Sequence, residues 1–183
     1  MSSGIHIVDI DVIPIVVRGD IDFAISEGKT RIHTSIIVRL LTNDDNIEGI
    51  GEIVCAPPGK PEELPEEILG AIENVVKPVL VGLDATARIK ASTLVNAALK
   101  GKHWTKAGIN NAMYDLQAKV MRTSVSTLLG GPLACDVPIM GTVIGLNTPD
   151  FMANQAFETA KMGYRAVKIK VGETLSTDVA RVT

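Results

Sequence analysis

Residues 163–172 read GYRAVKIKVG, and this stretch decides the fold that the sequence predicts. Residues 166–171 are expected to form a strand, in which successive side chains alternate between two faces. One face carries Val167, Ile169 and Val171, and the other carries Ala166, Lys168 and Lys170. An apolar face opposite two lysines is unusual in a parallel strand. It suits a (β/α)₈ barrel, where aliphatic side chains meet the helices and the lysines point inward near the carboxyl end of the strand.

The paired lysines indicate a chemistry. Like charges held together in a partly desolvated pocket favour the neutral form of one amine, and a neutral lysine can act as a general base. Its natural task is abstraction of a proton next to a carboxylate. The resulting enediolate needs strong electrostatic stabilisation, normally from a divalent cation held by carboxylates. A simpler alternative is that Lys168 and Lys170 face solvent on an edge strand.

The segments around this strand predict a βαβ unit with parallel strands, because strand and helix patterns alternate at the spacing of such units. In order, the predicted elements are a strand over 137–144, a helix from its N-cap Thr148 and Pro149 to about Met162 with Gly163 as its end, a strand over 165–171, and a helix opened by Ser176 or Thr177.

The N-terminal part of the chain predicts a three-stranded antiparallel meander followed by helices. Its predicted elements are strands over 5–17, 34–41 and 47–54, a loop over 18–31, a turn over 43–46, a loop over 56–61, a helix over 62–76 ended by Pro78, a helix capped by Asp84, and a helix capped by Thr105 before the stop at Gly130-Gly131.

Composition narrows the class of protein. The chain has 183 residues, of which 46% are hydrophobic, so it can bury a core. Its formal net charge of −3 and the lack of a basic stripe disfavour a nucleic-acid or anionic membrane partner. Cys55 and Cys135 show no metal or disulfide spacing, which predicts free thiols in a reducing compartment. Since the sequence also shows no signal peptide and no membrane-spanning stretch, a cytoplasmic location is expected.

Three segments together resemble the mandelate racemase/muconate lactonizing enzyme group of the enolase superfamily. They are TSIIVRLLTNDDNIEGIGEIV (34–54), which ends in a Gly51-Glu52 pair, KAGINNAMYDLQAKVMRTSVSTLLGG (106–131), and GYRAVKIKVG followed by Asp178-x-x-Arg181-Val182. Gly108 and Asn111 depart mildly from the pattern. Each segment is a weak signal by itself, whereas their order along nearly the whole chain is specific.

The resemblance implies roles for particular residues. Lys170 would be the general base on one face of the substrate, and Lys168 would orient and support it electrostatically; the cofactor would be Mg²⁺. Two loops, over 19–30 and 54–60, would close over the barrel mouth and select the substrate. The residues assigned to these loops are Gly19, Asp20, Ile21, Phe23, Ile25, Val54, Cys55 and Pro57. The metal-binding carboxylates and the second acid/base would lie beyond Thr183, so no metal ligand is assigned here.

The remaining acidic and histidine side chains fit structural roles better than site roles. Asp9 and Asp11 share a strand face that is expected to be a solvated edge. Glu52 is expected to close a turn or line a loop, and Asp115 is expected to be a structural residue of a helix. His6, His33 and His103 have no ligand spacing, and Trp104 is expected to be a packing anchor.

The predicted fold is an α+β capping domain over residues 1–132, followed over 133–183 by the first β/α units of a truncated (β/α)₈-type barrel. The predicted activity is metal-dependent abstraction of the proton α to a carboxylate, leading to racemisation, epimerisation, cycloisomerisation or dehydration. A small carboxylate would be the substrate, and the chain would form a homo-oligomer. The 183-residue chain alone is expected to be inactive. Two alternatives stay open: a non-catalytic capping-domain fragment that self-associates through exposed apolar surface, and an unrelated α/β binding protein with a chance Lys-x-Lys pair.

Overall fold

A computed structural model describes residues 3–25, 28–55, 63–134 and 136–183, apart from the side chains of 20–22 and 25. The chain divides into two compact units. Unit 1 comprises Met1–Val17 and His33–Leu133, and unit 2 comprises Arg18–Ile32 and Ala134–Thr183. The sequence-based domain ranges 1–132 and 133–183 stay a prediction.

Three strands form one sheet in the order β1-β2-β3. They are β1 (Ile7–Ile25), β2 (Gly28–Thr42) and β3 (Glu48–Val54). β2 and β3 pair antiparallel, with Val38 opposite Gly51, so the predicted meander is confirmed. The predicted loop over 18–31 is wrong, because β1 continues to Ile25 and β2 already begins at Gly28. Polar side chains do not prevent this extension, since ladder hydrogen bonds join backbone groups whatever the side chain.

One helical run follows the sheet and passes through a proline. It consists of α1 (Pro65–Ala71), a π-helical segment (Ile72–Val76) and α2 (Lys77–Leu80). The prediction that Pro78 ends the helix is therefore wrong. In the π-helical segment the Lys77 N–H bonds to the Ile72 carbonyl five residues back. A proline has no N–H to donate in the α-helical pattern, and the wider π-helical turn before Pro78 lets the helix continue in spite of this.

Two longer helices complete unit 1, and neither begins at its predicted cap. They are α3 (Arg88–Ala98) and α4 (His103–Val120). Asp84 does not cap α3; its carboxylate accepts the Thr86 N–H at 2.8 Å in the preceding turn. Thr105 lies inside the first turn of α4, whose N-cap is Lys102. The prediction for Asp84 failed because a short polar side chain near a helix start also forms turns. The prediction for Thr105 failed because its N–H and hydroxyl donate to the distant carboxylate of Glu63.

α4 packs directly on β3 through glycines. A Cβ at Gly51 would lie 2.2 Å from the Gly108 carbonyl oxygen, and a Cβ at Gly49 would lie 2.3 Å from the Ala112 carbonyl oxygen. A Cβ at Gly108 would in turn lie 2.3 Å from the Ile53 side chain. Glycines at Gly49 and Gly51 therefore allow the close approach of helix and strand.

The core of unit 1 is aliphatic and lies between the sheet and the helices. Its largest fully buried side chains come from the three strands, the helical run and α4: Ile7, Ile36, Val38, Leu40, Ile53, Ile68, Ile72, Val76, Leu80, Met113 and Leu116. The predicted apolar faces of the helical run and of α4 are confirmed by this set. α4 is followed by the short helix α5 (Val125–Leu128), and Gly130 and Gly131, both at positive φ, end the helical region as predicted.

Unit 2 contains a parallel pair of short strands alternating with helices. Its elements are β4 (Val143–Ile144), α6 (Pro149–Lys161), β5 (Lys168–Ile169) and α7 (Leu175–Val182). β4 and β5 pair parallel, which confirms the predicted orientation. Both strands are shorter than predicted, since each has only one partner within the described residues and the ladder is confined to the paired positions.

The helix signals in unit 2 gave one confirmed and one wrong prediction. Thr148 caps α6 by accepting the Phe151 N–H, Pro149 occupies the first position, and Gly163 follows the end of the helix at φ +92°, as predicted. α7 begins at Leu175 with Thr174 as its N-cap, so Ser176 and Thr177 do not open it. Within the described part of the chain, no helix has both the length and the apolar character needed to cross a membrane.

Candidate active site

The lysine strand is β5, one of the two parallel strands, and Lys170 lies at the carboxyl end of this pair. Val143 is opposite Lys168 and Ile144 is opposite Ile169. The Lys168 N–H donates to the Thr142 carbonyl, and the Lys170 N–H donates to the Ile144 carbonyl, both at 3.0 Å. Lys170 thus comes immediately after the last paired residue of β5. In βα folds this end of the sheet is where ligands and catalytic groups gather.

The two lysines differ in their surroundings. Lys168 is exposed, whereas Lys170 is half-buried. Water therefore has less access to the Lys170 side chain than to that of Lys168. The roles of Lys170 as general base and of Lys168 as supporting cation stay predictions.

Part of the predicted substrate loop lies at the same end of the sheet. The Leu146 N–H, just after β4, donates to the Ala24 carbonyl at 2.8 Å. A Cβ at Gly145 would lie 3.0 Å from the backbone N and O of Ala24 and 3.2 Å from the ring of Phe23. Because Gly145 follows Ile144, which pairs with Ile169, the structure brings Phe23 and the lysine strand to neighbouring strand ends within unit 2.

Four other predicted loop residues, Gly19, Asp20, Ile21 and Ile25, also belong to β1 in unit 2. Gly19 is half-buried, and its carbonyl accepts the Arg31 Nε–H at 3.0 Å. The backbone of Asp20, Ile21 and Ile25 belongs to β1, but their side chains lie outside the described residues, as does all of Pro57.

The remaining two candidates, Val54 and Cys55, belong to unit 1. Val54 is exposed, whereas Cys55 is buried in the core cluster. Burial, followed by the carboxylates of Glu63 and Glu66, raises the pKa of the Cys55 thiol above its usual value. The thiol therefore stays protonated and unreactive at neutral pH. Cys135 lies outside the described residues.

The carboxylates that were set aside in the sequence take structural partners. Asp9 pairs with Lys77 at 2.7 Å and Asp11 pairs with Arg39 at 3.1 Å. Asp115 accepts the backbone N–H of Ile50 at 2.8 Å, which joins α4 to β3. Across residues 3–25, 28–55, 63–134 and 136–183, no group of three or more His, Cys, Asp or Glu side chains is arranged to hold a metal ion.

Sequence reasoning missed a charged cluster beside the lysine strand. Arg181 is almost fully buried and pairs with Glu173 at 2.6 Å and with Asp178 at 2.9 Å. Its Nε–H also donates to the Asn147 carbonyl at 2.9 Å. The signal was present as Asp178-x-x-Arg181, a spacing that places two side chains on one helix face, but no partner outside the helix could be read from it.

Unit 1 has a separate cavity of about 240 Å³ between α3 and α4. Its lining includes Ser92, Asn96, His103, Lys106 and Asn110. None of the predicted site residues lines this cavity, so it is not the site that the lysine pair predicts.

Comparison with known proteins gives the family. The model of the mandelate racemase / muconate lactonizing enzyme N-terminal domain matches residues 10–130. The N-succinyl-L-Arg/Lys racemase of Bacillus cereus is 30% identical over 160 residues, which are 87% of this chain and 42% of the racemase. The chloromuconate cycloisomerase of a Pseudomonas species is 30% identical over 146 residues, 78% of this chain and 39% of the relative.

A solved structure agrees with these relatives. The dipeptide epimerase of Enterococcus faecalis, in complex with Mg and the dipeptide L-Leu-L-Tyr, has a TM-score of 0.87 and 28% identity, and the match covers 97% of this chain and 49% of the epimerase. The chain thus spans about half the length, or less, of the relatives it matches. It belongs to the mandelate racemase/muconate lactonizing enzyme group of the enolase superfamily.

Proposed function

We propose that the chain provides the lysine strand of an enzyme that abstracts the proton α to a carboxylate. Lys170 is the base and Lys168 the supporting cation. Residues 1–132 form the capping domain, and residues 133–183 begin the barrel. The observation that carries this proposal is the position of Lys170, half-buried at the carboxyl end of a parallel strand, next to a strand end that contacts Phe23.

The proposed step is a proton transfer between carbon and nitrogen. The lone pair of the Lys170 Nζ takes the α-proton, and the electron pair of the broken C–H bond moves into the carboxylate to give an enediolate. The Lys168 ammonium stabilises the added negative charge. Delivery of a proton to the opposite face of the enediolate gives racemisation or epimerisation, whereas loss of a β-hydroxyl group, which takes up a proton and leaves as water, gives dehydration. Cycloisomerisation is the reverse of such a β-elimination: a carboxylate of the same molecule adds at the β-carbon of a C=C bond, and the enediolate so formed takes a proton at its α-carbon from the Lys170 ammonium.

Mg²⁺ is present in the E. faecalis epimerase structure, and it would supply Lewis-acid stabilisation of the enediolate. The described residues of this chain do not form a carboxylate cluster that could hold it. We therefore assign the metal no ligand here and limit this chain's part in the reaction to the lysines and the loop.

We propose a small carboxylate derived from an amino acid as the substrate, such as a dipeptide or a proline derivative. The N-succinyl-L-Arg/Lys racemase and the dipeptide epimerase act on such compounds by their names. The cycloisomerase relative acts, by its name, on a chloromuconate. Muconates are also carboxylates, so they form a second proposed class of substrate. We also propose a cytoplasmic homo-oligomer.

Deuterium exchange at the substrate α-carbon tests the base. Exchange is followed by proton NMR in D₂O with MgCl₂ and dipeptide or N-acyl amino acid substrates, in the 183-residue chain and in the longest natural polypeptide that contains it. The longer protein is expected to catalyse exchange, and the chain alone is not. Lys170→Ala should lower the rate by about 10²–10⁴-fold, the usual contribution of a general base.

Lys161→Ala is the matched control, because Lys161 is an exposed lysine on α6 whose partners, Glu158 and the Phe157 ring, belong to the same helix. It should leave exchange unchanged. Full exchange activity in Lys170→Ala would overturn the assignment of the base.

Exposed apolar side chains on unit 2 favour a second candidate, a non-catalytic segment that self-associates. On α7 the side chains of Leu175, Val179 and Val182 are exposed along one stripe. Sedimentation velocity at increasing concentration tests it, and Leu175→Ser should weaken association while Ile89→Ser, an exposed site on α3, should not. A monomer at all concentrations would rule out this candidate.

A further inference from the structure

Arg181 links the two loops that follow the parallel strands of unit 2. Its Nε–H donates to the carbonyl of Asn147, in the loop after β4. One terminal nitrogen donates to the carboxylate of Glu173, in the loop after β5, at 2.6 Å, and the other donates to Asp178 at 2.9 Å. All three partners accept from different nitrogens, so the planar guanidinium fixes the loops in a defined geometry.

Asp178 extends this link to the backbone beside the lysine. Its second carboxylate oxygen accepts the N–H of Gly172 at 2.8 Å and the N–H of Glu173 at 3.2 Å. Gly172 lies two residues after Lys170 and has a φ of +130°, a conformation that favours glycine. The turn that leaves β5 is therefore held by side chains of α7.

The electrostatics of the cluster favour the charged forms. Burial acts to raise the pKa of Asp178, but the Gly172 N–H and the Arg181 guanidinium together outweigh it, so the pKa lies below its usual value. The Arg181 side chain is only 4% exposed, which is exceptional for an arginine on a surface helix. By contrast, the Lys161–Glu158 pair is exposed and joins two residues of the same helix, α6.

We propose that Arg181 and Asp178 are positioning residues for Lys170. They tie the end of β5 to the loop after β4 and so hold the lysine at a fixed place on the carboxyl end of the sheet. This inference rests on the proposed function, because Arg181 and Asp178 can position a catalytic base only if Lys170 is that base. General bases must be held at hydrogen-bond distance from the proton they take, and small displacements are costly.

The test uses amide hydrogen exchange and NMR on this chain, so it does not depend on activity. In Asp178→Asn, the amides of Gly172 and Glu173 should exchange at least about tenfold faster, the factor that corresponds to loss of a hydrogen bond to a charged group. The side-chain signals of Lys170, observed at the ε-carbon, should shift or broaden. Arg181→Lys keeps the positive charge but loses the planar guanidinium that bonds three partners at once. It should also speed amide exchange at Gly172 and Glu173 and change the Lys170 signals.

Glu158→Gln is the matched control, since it removes an exposed ion pair of similar spacing that joins no loops. It should leave the Gly172, Glu173 and Lys170 signals unchanged. If Arg181→Lys loosens α7 as a whole, its effect on Lys170 cannot be separated from loss of the helix. The Asp178→Asn variant then tests the inference, because it keeps the hydrogen bond from Arg181 to the Asn147 carbonyl.

Two results would overturn the inference. One is unchanged exchange at Gly172 and Glu173 in Asp178→Asn. The other is faster exchange with no change in the Lys170 signals, which would reduce the cluster to a helix anchor.

Failure of the proposed function has a different signature. In that case Lys170→Ala leaves α-proton exchange of the longer protein unchanged, whatever the amide exchange shows. Where Lys170 is the base, Asp178→Asn in the longer protein should lower kcat by about tenfold or more with KM little changed, since a displaced base impairs the chemical step rather than binding.

Discussion

Glu63 holds the first turn of α4 from a distant part of unit 1. Its carboxylate accepts the N–H groups of Trp104 and Thr105 at 2.8 and 2.7 Å, and the Thr105 hydroxyl at 2.7 Å. Both Glu63 and Thr105 are buried. A carboxylate at a helix N-terminus is favourable because it satisfies free N–H groups and meets the positive end of the helix dipole.

Replacing this carboxylate should destabilise unit 1. Glu63→Ala leaves the donors of Thr105 buried without a partner, which should lower the free energy of unfolding by about 1–3 kcal/mol. Urea unfolding followed by the fluorescence of Trp104, the chain's single tryptophan, measures the loss. Glu66→Gln, at an exposed site in the first turn of α1, should change stability by less than about 0.5 kcal/mol. Equal effects of the two variants would contradict the capping role.

Residue-scale prediction succeeded where the partner is a near neighbour in sequence. Thr148 and Pro149 start α6 as their side-chain chemistry predicts, because the cap acceptor and its N–H lie three residues apart. Thr105 was mistaken for a cap since nothing in its neighbourhood shows that Glu63, 42 positions away, already satisfies the same N–H groups.

The contact between β3 and α4 depends on backbone atoms that approach closely at glycines. Gly51→Ala places a methyl group 2.2 Å from the Gly108 carbonyl, and both partners are backbone, so helix and strand must separate. Overpacking of this kind costs about 1–3 kcal/mol, occasionally more. Urea unfolding should show that loss.

Gly70→Ala should have the opposite sign. Gly70 lies within α1, and the nearest atom to a Cβ there is 4.0 Å away. Alanine in a helix interior is favoured over glycine by about 0.5–1 kcal/mol, so the variant should be more stable than the wild type. Destabilisation by Gly70→Ala, or stability of Gly51→Ala, would contradict the packing described for these elements.

Element-scale prediction was most reliable for helices with an apolar face and least reliable for the ends of strands. The face that contains Ile109, Met113 and Leu116 was predicted from its spacing and is buried. The strands of unit 2 were predicted too long, because apolar residues at 137–144 look the same whether or not a neighbouring strand pairs with them.

Acid should weaken unit 1 partly through Asp9. Its hydrogen bond from Lys77, and then that from the Ile10 N–H, lower the pKa of Asp9 below its ordinary value of about 3.9. A lowered folded-state pKa means stability that is present above the ordinary value and is lost as the pH falls through the folded-state pKa. Asp9→Asn should therefore be less stable than wild type at neutral pH, and the difference should shrink below about pH 4.

Urea unfolding at several pH values, followed through Trp104, measures this effect. Asp45→Asn, at an exposed position in the turn between β2 and β3, serves as the control and should change the free energy of unfolding by less than about 0.5 kcal/mol at neutral pH. A pH-independent difference for Asp9→Asn would contradict the role of its ion pair with Lys77.

The whole chain is expected to bind Mg²⁺ only weakly. Mg²⁺ is held by carboxylate oxygens in near-octahedral geometry, and the described residues offer no cluster of three such ligands. Isothermal titration of the 183-residue chain with MgCl₂ should show no saturable binding in the micromolar range. Tight, saturable binding by this chain would show that its acidic residues form a metal site after all.

The sequence alone determined the family, the order of strands and helices, and the alternation that puts Lys168 and Lys170 on one strand face. The family follows from the resemblance of three segments in order along the chain, whereas the elements and the alternation follow from signals that act within a few residues, such as periodicity, caps and glycines at helix ends. Tertiary structure decided which elements approach closely. It joined Glu63 to α4, required glycine where Gly51 meets Gly108, and brought Asn147 and Asp178 to the Arg181 guanidinium. The physical reason is that a buried polar group takes whichever partner the packed fold places beside it, and sequence distance does not limit that choice.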